Sequence, residues 1–584
     1  MGETFVLFDD ARAGGAPARL YRAPRREIVA WRLDEVRPAL AALREGLRAG
    51  HHAAGYLAYE AGQALDPKLI VDARIGQGPL LWFGLFDGFE SPGALPDSAA
   101  AIAGRVRPRI TREAYLAAAA GVREDLFAGA YYQANLTFGC DVAVGGSPLA
   151  LFAKLRERSR AGWGGVLRHP TGTLVSLSPE QFFTLKGGIL NARPMKGTER
   201  RHAEPAEDRA AAERLALDPK QRAENLMIVD LLRNDLARVA ETGSVEVPKL
   251  FAVETYPTLH QLVSEVTARL RSGLDAVDVL ETIFPCGSVT GAPKIAAIQA
   301  LRQLEPEPRG AYSGSMGWID PNGDAAFNVL IRTLELRDDA PGMARLGLGS
   351  GLVVDSRMEQ EWAECLLKGE FVTAAQFPSR TAALDLIETM RFDPEQGIAE
   401  LARHLDRMGR AAAELEFVFD RHAARNELQA ATFRRKEPAM VRLLLSPTGA
   451  MAIQVKRLER PADEEIEVTL QPTAVESDDI RLRYKTTDRR FYDEARRAND
   501  TFETIFVDCE GRLTEGSFTN IFVERDGRLL TPPASRGLIA GILREKLIEE
   551  GRAVEADLTP ADLEDGFFVG NILRGLMPAR LKTN

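Results

Sequence analysis

Apolar and polar positions run in a strand-like alternation from Thr173 to Leu185, whereas from Pro205 to Val239 the apolar residues recur at helical spacing. Strand-like runs and long amphipathic stretches of these two kinds fill residues 1 to about 373 and predict an α/β region. A polar, proline-containing stretch from Thr373 to Thr381 interrupts them. A second α/β pattern opens with the mostly apolar run Ala382 to Ile387, which places a boundary near Gln376 and predicts domains over 1–374 and 375–584. The sequence contains no internal repeat, low-complexity tract or heptad array.

Length agrees with two domains, because 584 residues exceed the roughly 250–300 at which a single hydrophobic core stops growing. With 45% hydrophobic and 27% charged residues, the chain reads as globular and soluble, not disordered. The net charge of -10 is spread along the chain and the arginines between Arg19 and Arg32 are interspersed with apolar and acidic residues, so nucleic acid is not an expected partner. Cys140, Cys286, Cys365 and Cys509 form no CxxC pair, which argues against a zinc site or a disulfide framework and fits a reducing cytoplasm. The acidic start MGETFVLFDD does not resemble an export signal, and no run approaches the ~20 apolar residues of a membrane helix. A cytoplasmic protein with no membrane partner is expected.

Three segments of the first region carry candidate chemistry. In Gly349 to Phe371 a glycine-rich strand end runs into a helix on which Glu361, Glu364 and Lys368 share one face. A solvated salt-bridge stripe has the same spacing. Glu224 heads a strongly apolar helix in Arg222 to Asp235, and carboxylates facing each other from two helices suit Mg²⁺, which takes hard oxygen ligands. The loop Phe284 to Lys294 exposes glycine N–H groups, and Thr290 and Lys294 add donors for an anion; an ordinary connection between a strand and a helix reads the same way.

In this order, with GYLAYEAG (Gly55 to Gly62), YQANLT (Tyr132 to Thr137), LSPEQFF (Leu177 to Phe183), HQLVSEV (His260 to Val266) and AAFNVLIRT (Ala325 to Thr333), the segments resemble the chorismate-utilising enzymes. That family includes component I of anthranilate and aminodeoxychorismate synthases and the isochorismate and salicylate synthases. The resemblance covers most of residues 50–372 and implies an α/β sandwich of antiparallel sheets with outer helices. It makes Glu224 and Glu364 ligands of Mg²⁺ with Glu361 beside them. Thr290, Tyr312, Arg332, Lys368 and the backbone at Gly349 and Gly351 would surround the substrate, chorismate. Gln221 stands where the family often has a further acid. Gln133 stands where water-adding members carry a lysine base, which disfavours hydration. Lys196 in RPMKGTER matches the lysine of aminodeoxychorismate synthases, and the resemblance implies that it attacks C2 of chorismate as a neutral amine, its charge suppressed by burial and by neighbouring cations such as Arg193 and Arg200. Glu180 would then be the general acid, and His260 a candidate for proton transfer or substrate contact. The chain has no G-x-C-x-G elbow, so ammonia is expected from a separate glutamine amidotransferase subunit or from solution.

In the second region Lys485 ends an alternating, strand-like run, and Glu515 and Asn520 bracket a turn between two predicted strands in LTEGSFTNIFV. This spacing, with HLDRM (His404 to Met408) and GLIAGILRE (Gly537 to Glu545), resembles the fold-type IV pyridoxal-phosphate enzymes, among them D-amino acid aminotransferases and aminodeoxychorismate lyase. The resemblance spans about residues 383–580. It implies that Lys485 forms the internal aldimine with pyridoxal 5'-phosphate and later acts as a base. Glu515 would pair with the pyridine nitrogen, Leu538 would pack on the ring, and Arg407 with the N–H groups of Gly541 and Ile542 would hold the phosphate. Asn520 completes the shell. Relatives of this fold commonly pair, so a homodimer is possible. Leu543 and the segment Gly570 to Ala579 favour a lyase over a transaminase, as does fusion to a domain whose product is the lyase's substrate. An aminotransferase, an anthranilate-forming first domain and a cofactor-free docking domain remain the alternatives.

Overall fold

The computed structural model describes residues 3–69, 74–202, 204–255, 259–373, 385–458, 465–475, 477, 479–499 and 501–582. The boundary expected near Gln376 lies outside these residues. Two compact units emerge: Met1–Asp97 with Arg105–Val142 and Phe152–Ala375, and Ser98–Gly104 with Ala143–Leu151 and Gln376–Asn584. Two short segments of the first expected domain therefore group with the second. No helix among the described residues is long and apolar enough to cross a membrane.

The first unit holds two large sheets. One runs in the order Gly291–Ala292, Gln133–Gly145, Met343–Leu352, Thr333–Arg337, Gly172–Ser178, Trp163–His169, Phe5–Asp9 and Arg19–Arg22. The other runs Met195–Arg200, Leu259–Arg269, Ile189–Ala192, Gln181–Lys186, Ala325–Asn328, Ser315–Ile319, His52–Leu57, Leu81–Phe86 and Arg26–Ala30. Tyr21, Leu167 and Leu174 of the first sheet meet Tyr56, Trp82 and Met316 of the second in a core between them. A larger core forms where helices cover the second sheet: Leu40, Leu43, Ile228, Leu232, Val277 and Leu280 pack on Phe83, Phe183, Val266 and Phe327. The alternation of apolar residues along each strand thus becomes two buried faces, one against a sheet and one against helices.

Two sequence expectations change at prolines. The run from Thr173 to Leu185 is two strands in different sheets, because Pro179 has no N–H to continue the ladder. The stretch from Pro205 to Val239 is two helices, Pro205–Leu217 and Pro219–Ala237. Asp218 caps the second, its carboxylate accepting the Gln221 N–H at 3.0 Å, while Pro219 at the first turn cannot extend the helix before it.

In the second unit a small antiparallel sheet, Gly397–Ile398, Leu386–Asp393, Ala439–Leu445 and Met451–Arg457, is covered by the helix Leu401–Glu414 through Leu405, Met408 and Ala412. A larger mixed sheet runs Leu513–Gly516, Glu503–Val507, Ile466–Pro472, Gly575–Leu581, Phe567–Asn571, Asn520–Arg525, Arg528–Thr531 and Ala553–Glu555. Its parallel pairs include Ile466–Pro472 with both neighbours. Lys485 does not end a strand: it follows the short helix Ile480–Arg483, which Asp479 caps by accepting the Arg481 N–H at 2.8 Å.

Candidate active sites

In the first unit the crossing between sheets places Glu180. The residue is 8% exposed, and its carboxyl accepts a hydrogen bond from Ser288 Oγ at 2.6 Å. Burial raises its pKa above the ordinary carboxylate value, against the Ser288 hydrogen bond and the charges of Lys196 and Lys368. Lys196, on the edge strand Met195–Arg200, reaches toward Gly351. A Cβ at position 351 would stand 3.5 Å from Lys196 Nζ and 2.6 Å from Gln133 Nε2, so the glycine opens the space where amine and amide meet. Gln133 Oε1 is buried there without a hydrogen-bond partner.

The surroundings of Lys196 differ from the expectation. Arg193 is bound to Glu254, and Arg200 is exposed. The charges that face the amine include three acids, Glu180, Glu224 and Glu364. Sequence neighbours alternate sides along a strand, so the nearest arginines in sequence are not the nearest charges in space.

Glu224, Glu361 and Glu364 come from the helices Pro219–Ala237 and Met358–Thr373 and lie close enough to act on one another. Burial raises the Glu224 pKa, opposed by Lys196 and Lys220 and reinforced by Glu361 and Glu364. Burial pushes Glu364 the same way, but Lys368, 2.7 Å from its Oε1, brings it below the ordinary value. Glu361 accepts from Ser356 Oγ at 2.7 Å. Among the described residues no three acids, histidines or cysteines converge on one point. Carboxylates from two helices are the donor type that a hard divalent cation takes, and in this arrangement Glu364 is held by Lys368 instead.

Other expected contacts sort clearly. The Arg332 guanidinium, on a residue with φ 50°, makes no hydrogen bond or ion pair with another described residue, and burial alone pulls its pKa below the ordinary value. It is therefore free to take a carboxylate. The Tyr312 ring lies against Gly347, where a Cβ would meet it at 2.0 Å. Lys368 donates to the Gly349 carbonyl at 3.0 Å as well as to Glu364. Thr290 is not an open donor: its hydroxyl is fully buried and turned back on the carbonyls of Cys286 and Gly287 at 3.2 and 3.1 Å. Lys294 is held by Asp235 at 2.7 Å and the Ile283 carbonyl at 2.8 Å. His260 is also not brought to the cluster. Both its ring nitrogens are occupied, Nδ1 by Thr255 Oγ1 and Nε2 by Asp208, each at 3.0 Å, and it is 2% exposed, which makes it a core hydrogen-bonding residue.

In the second unit a cavity of about 500 Å³ is lined by Lys485, Arg407, Glu515, Asn520, Gly541 and Ile542. Burial, then the nearby Arg407, lowers the Lys485 amine to about 7, so it is an available nucleophile at neutral pH. Glu515, 5% exposed, accepts from the Tyr492 hydroxyl at Oε1 and from the Ile539 N–H at Oε2, 3.1 Å away. Burial raises it to about 8 against these donors. Gly541 caps the helix Ile542–Glu549 and donates to Asn520 Oδ1 at 3.1 Å. Arg407 forks onto Glu388 at 2.8 and 2.7 Å and donates to the Ala540 carbonyl at 3.0 Å. Glu388 also holds His404 Nδ1 at 2.6 Å, and His404 Nε2 on the cavity wall is buried and unpartnered. A neutral amine, a helix N-terminus, an arginine and an orphaned imidazole nitrogen fit an aldehyde cofactor that carries a phosphate.

Leu538 is corrected by one residue. Ile539 lines the cavity, and Leu538 is 4% exposed outside its lining. Sequence reasoning missed Thr389, Arg442, Arg489, Arg496 and Arg574, which also line the cavity. The pairing of Thr389 with Arg442 across two strands far apart in sequence is the kind of contact that local pattern does not carry.

Residues 90–374 match the family of chorismate binding enzymes, and residues 385–581 match amino-transferase class IV. Aminodeoxychorismate synthase component 1 of Klebsiella aerogenes is 42% identical over 258 residues, 44% of this chain and 56% of that protein. The protein of that name from Salmonella typhimurium is 44% identical over 239 residues, 41% and 52% of the two chains. The chain thus spans little more than half the length of these relatives. The crystal structure of anthranilate synthase component I from Streptococcus pneumoniae TIGR4 shares the fold, with a TM-score of 0.53 and 24% identity over 64% of this chain and 93% of that one. The chain thus carries a chorismate binding enzyme domain, homologous to aminodeoxychorismate synthase component 1, followed by an amino-transferase class IV domain.

Proposed function

We propose that the chain makes 4-aminobenzoate from chorismate and ammonia in two steps. The observation that carries the first step is the meeting of Lys196 and Gln133 at Gly351, beside Glu180 and the acids of two helices. In this reading Arg332 binds a substrate carboxylate and orients the ring. Lys196 attacks C2 through its amine, the double bond shifts, and the C4 hydroxyl departs as water with a proton from Glu180, whose pKa burial raises. Ammonia then adds at C4 and expels the lysine, giving 4-amino-4-deoxychorismate. Mg²⁺ on Glu224, Glu361 and Glu364 would neutralise their charge and take up substrate carboxylate oxygen. The ammonia is supplied by a separate amidotransferase, as the component naming of the relatives suggests, or by ammonium in solution.

The second step eliminates pyruvate from that intermediate and leaves an aromatic ring. Pyridoxal 5'-phosphate supplies an electron sink when bound. Arg407 and the Ile542 N–H, at a helix start that Gly541 ties to Asn520, would hold its phosphate, Glu515 would pair with its ring nitrogen, Ile539 would pack on its ring, and Lys485 would remove the proton at C4 of the substrate. The lining is arginine-rich: Arg442, Arg489, Arg496 and Arg574 face one further acid, Asp493. That excess of positive charge suits the two carboxylates of aminodeoxychorismate better than the single carboxylate of an aliphatic amino acid. The reaction takes place in the cytoplasm.

Incubation of the full chain with chorismate, Mg²⁺ and an ammonium salt, with product identification by mass spectrometry, tests both steps. The expected products are 4-aminobenzoate and pyruvate. Accumulated aminodeoxychorismate would remove the lyase reading, and anthranilate would remove the reading of the first domain.

A further inference from the structure

Tyr492 and Glu515 form a buried pair, of which Glu515 lines the cavity. Tyr492, on the helix Arg490–Asn499, is 1% exposed, and its hydroxyl donates to Glu515 Oε1. A bond in this direction favours the ionised carboxyl, which can only accept. Three ring neighbours hold the phenol: Phe491 with centroids 3.9 Å apart, Phe506 edge-on at 5.6 Å, and the Arg489 guanidinium 4.4 Å from the ring centre. The Ile539 N–H occupies the other carboxylate oxygen at 3.1 Å. Both oxygens of Glu515 therefore have a donor before any ligand arrives.

Nothing in the family resemblance assigns Tyr492 a role. Its consequence follows from acid–base chemistry: each donated hydrogen bond stabilises the carboxylate and makes it a weaker base. The charged or ionisable groups that act on the pair are Arg489 from the segment before the helix, Asp479 from the cap of the preceding short helix, and Glu503 from the adjacent strand. Glu503 is occupied by Ser517 and Thr519. When a cofactor ring nitrogen meets Glu515, one proton is shared between nitrogen and oxygen, and the weaker base gives it up.

We infer that Tyr492 is a positioning residue that, by donating to Glu515, keeps the shared proton on the cofactor's ring nitrogen. This rests on the cofactor reading of the second domain. Protonated, that ring withdraws electrons; with the proton on Glu515 it would do so weakly.

The test is nuclear magnetic resonance of the full chain loaded with cofactor carrying ¹⁵N in its ring. In the wild-type protein the resonance should lie at the pyridinium position. In Tyr492→Phe, which keeps the ring and its packing, it should move toward the unprotonated pyridine position. Incorporation of 4-aminophenylalanine at 492, a weaker donor of the same shape, should give a resonance between the two. A loaded Tyr492→Phe protein with an unmoved resonance overturns the inference alone; if that variant fails to load, an unmoved resonance in the aminophenylalanine protein does so. A wild-type chain that takes up no cofactor overturns the cofactor reading and the inference with it.

Discussion

Gly541 and Asn520 approach each other so closely that a side chain at 541 requires Asn520 to move: a Cβ there would stand 2.1 Å from Asn520 Oδ1, the atom that accepts the Gly541 N–H. The same side chain donates from Nδ2 to the Ile539 carbonyl at 3.1 Å, so one asparagine fixes both ends of the segment that opens the helix Ile542–Glu549. Gly541→Ala must displace Asn520 and break that tie. Loss of one buried hydrogen bond costs about 1–3 kcal/mol, which corresponds to roughly tenfold or more in affinity. Equilibrium dialysis with pyridoxal 5'-phosphate should show that weakening for Gly541→Ala and for Asn520→Ala, and equal affinity in all three proteins would refute the tie.

Lys485 offers a pH test. An ordinary lysine amine titrates near ~10.4; burial and Arg407 bring this one to about 7. The neutral form is the nucleophile and accumulates as pH rises, so reaction of the cofactor-free chain with an aldehyde should climb through a midpoint near 7 and level off above it. Trapping the product with borohydride and mapping the modified peptide measures this. A rate still rising tenfold per pH unit at pH 9 would mean that the amine is not depressed.

Arg332 tests the first domain. Because its guanidinium has no partner among the described residues, Arg332→Gln removes a ligand-binding charge without breaking an internal ion pair. A charge-assisted bond to a carboxylate contributes about 1.5–3 kcal/mol, so KM for chorismate should rise about tenfold to a hundredfold while the melting temperature stays close to that of the wild type. A large drop in melting temperature instead would assign Arg332 a structural role.

How much of this was readable from the chain depends on the distance over which each residue acts. The helix face of Glu361, Glu364 and Lys368 follows from spacing alone, and so do the two strands around Glu515 and Asn520. Pro179 announces a break, but that the chain changes sheets there is decided by pairing with Thr333–Arg337 on one side and Ala325–Asn328 on the other. The sequence around Lys196 suggests a cationic neighbourhood, whereas of the three acids that face it two, Glu224 and Glu364, come from helices that begin at positions 219 and 358, and the third, Glu180, from the turn between two strands. The offset from Leu538 to Ile539 has a different origin: both positions are apolar, so the sequence carries no signal to choose which of the two side chains lines the cavity.

Two substitutions separate two roles around Glu180. Glu180→Gln removes the proton donor and should lower kcat for amination by about 10² to 10⁴-fold with little change in chorismate binding. Ser288→Ala acts on the same carboxyl more gently. The Ser288 hydroxyl, 2.6 Å away, stabilises the ionised form and holds down a pKa that burial raises. Without it the pKa rises further, and because the acid must be protonated to work, activity is lost as pH increases through that value. The alkaline limb of the kcat profile should therefore move to higher pH in Ser288→Ala and disappear in Glu180→Gln. A limb that stays in place in both variants would mean that another group delivers the proton to the departing hydroxyl, leaving Glu180 as a buried residue that only braces the loop carrying Ser288.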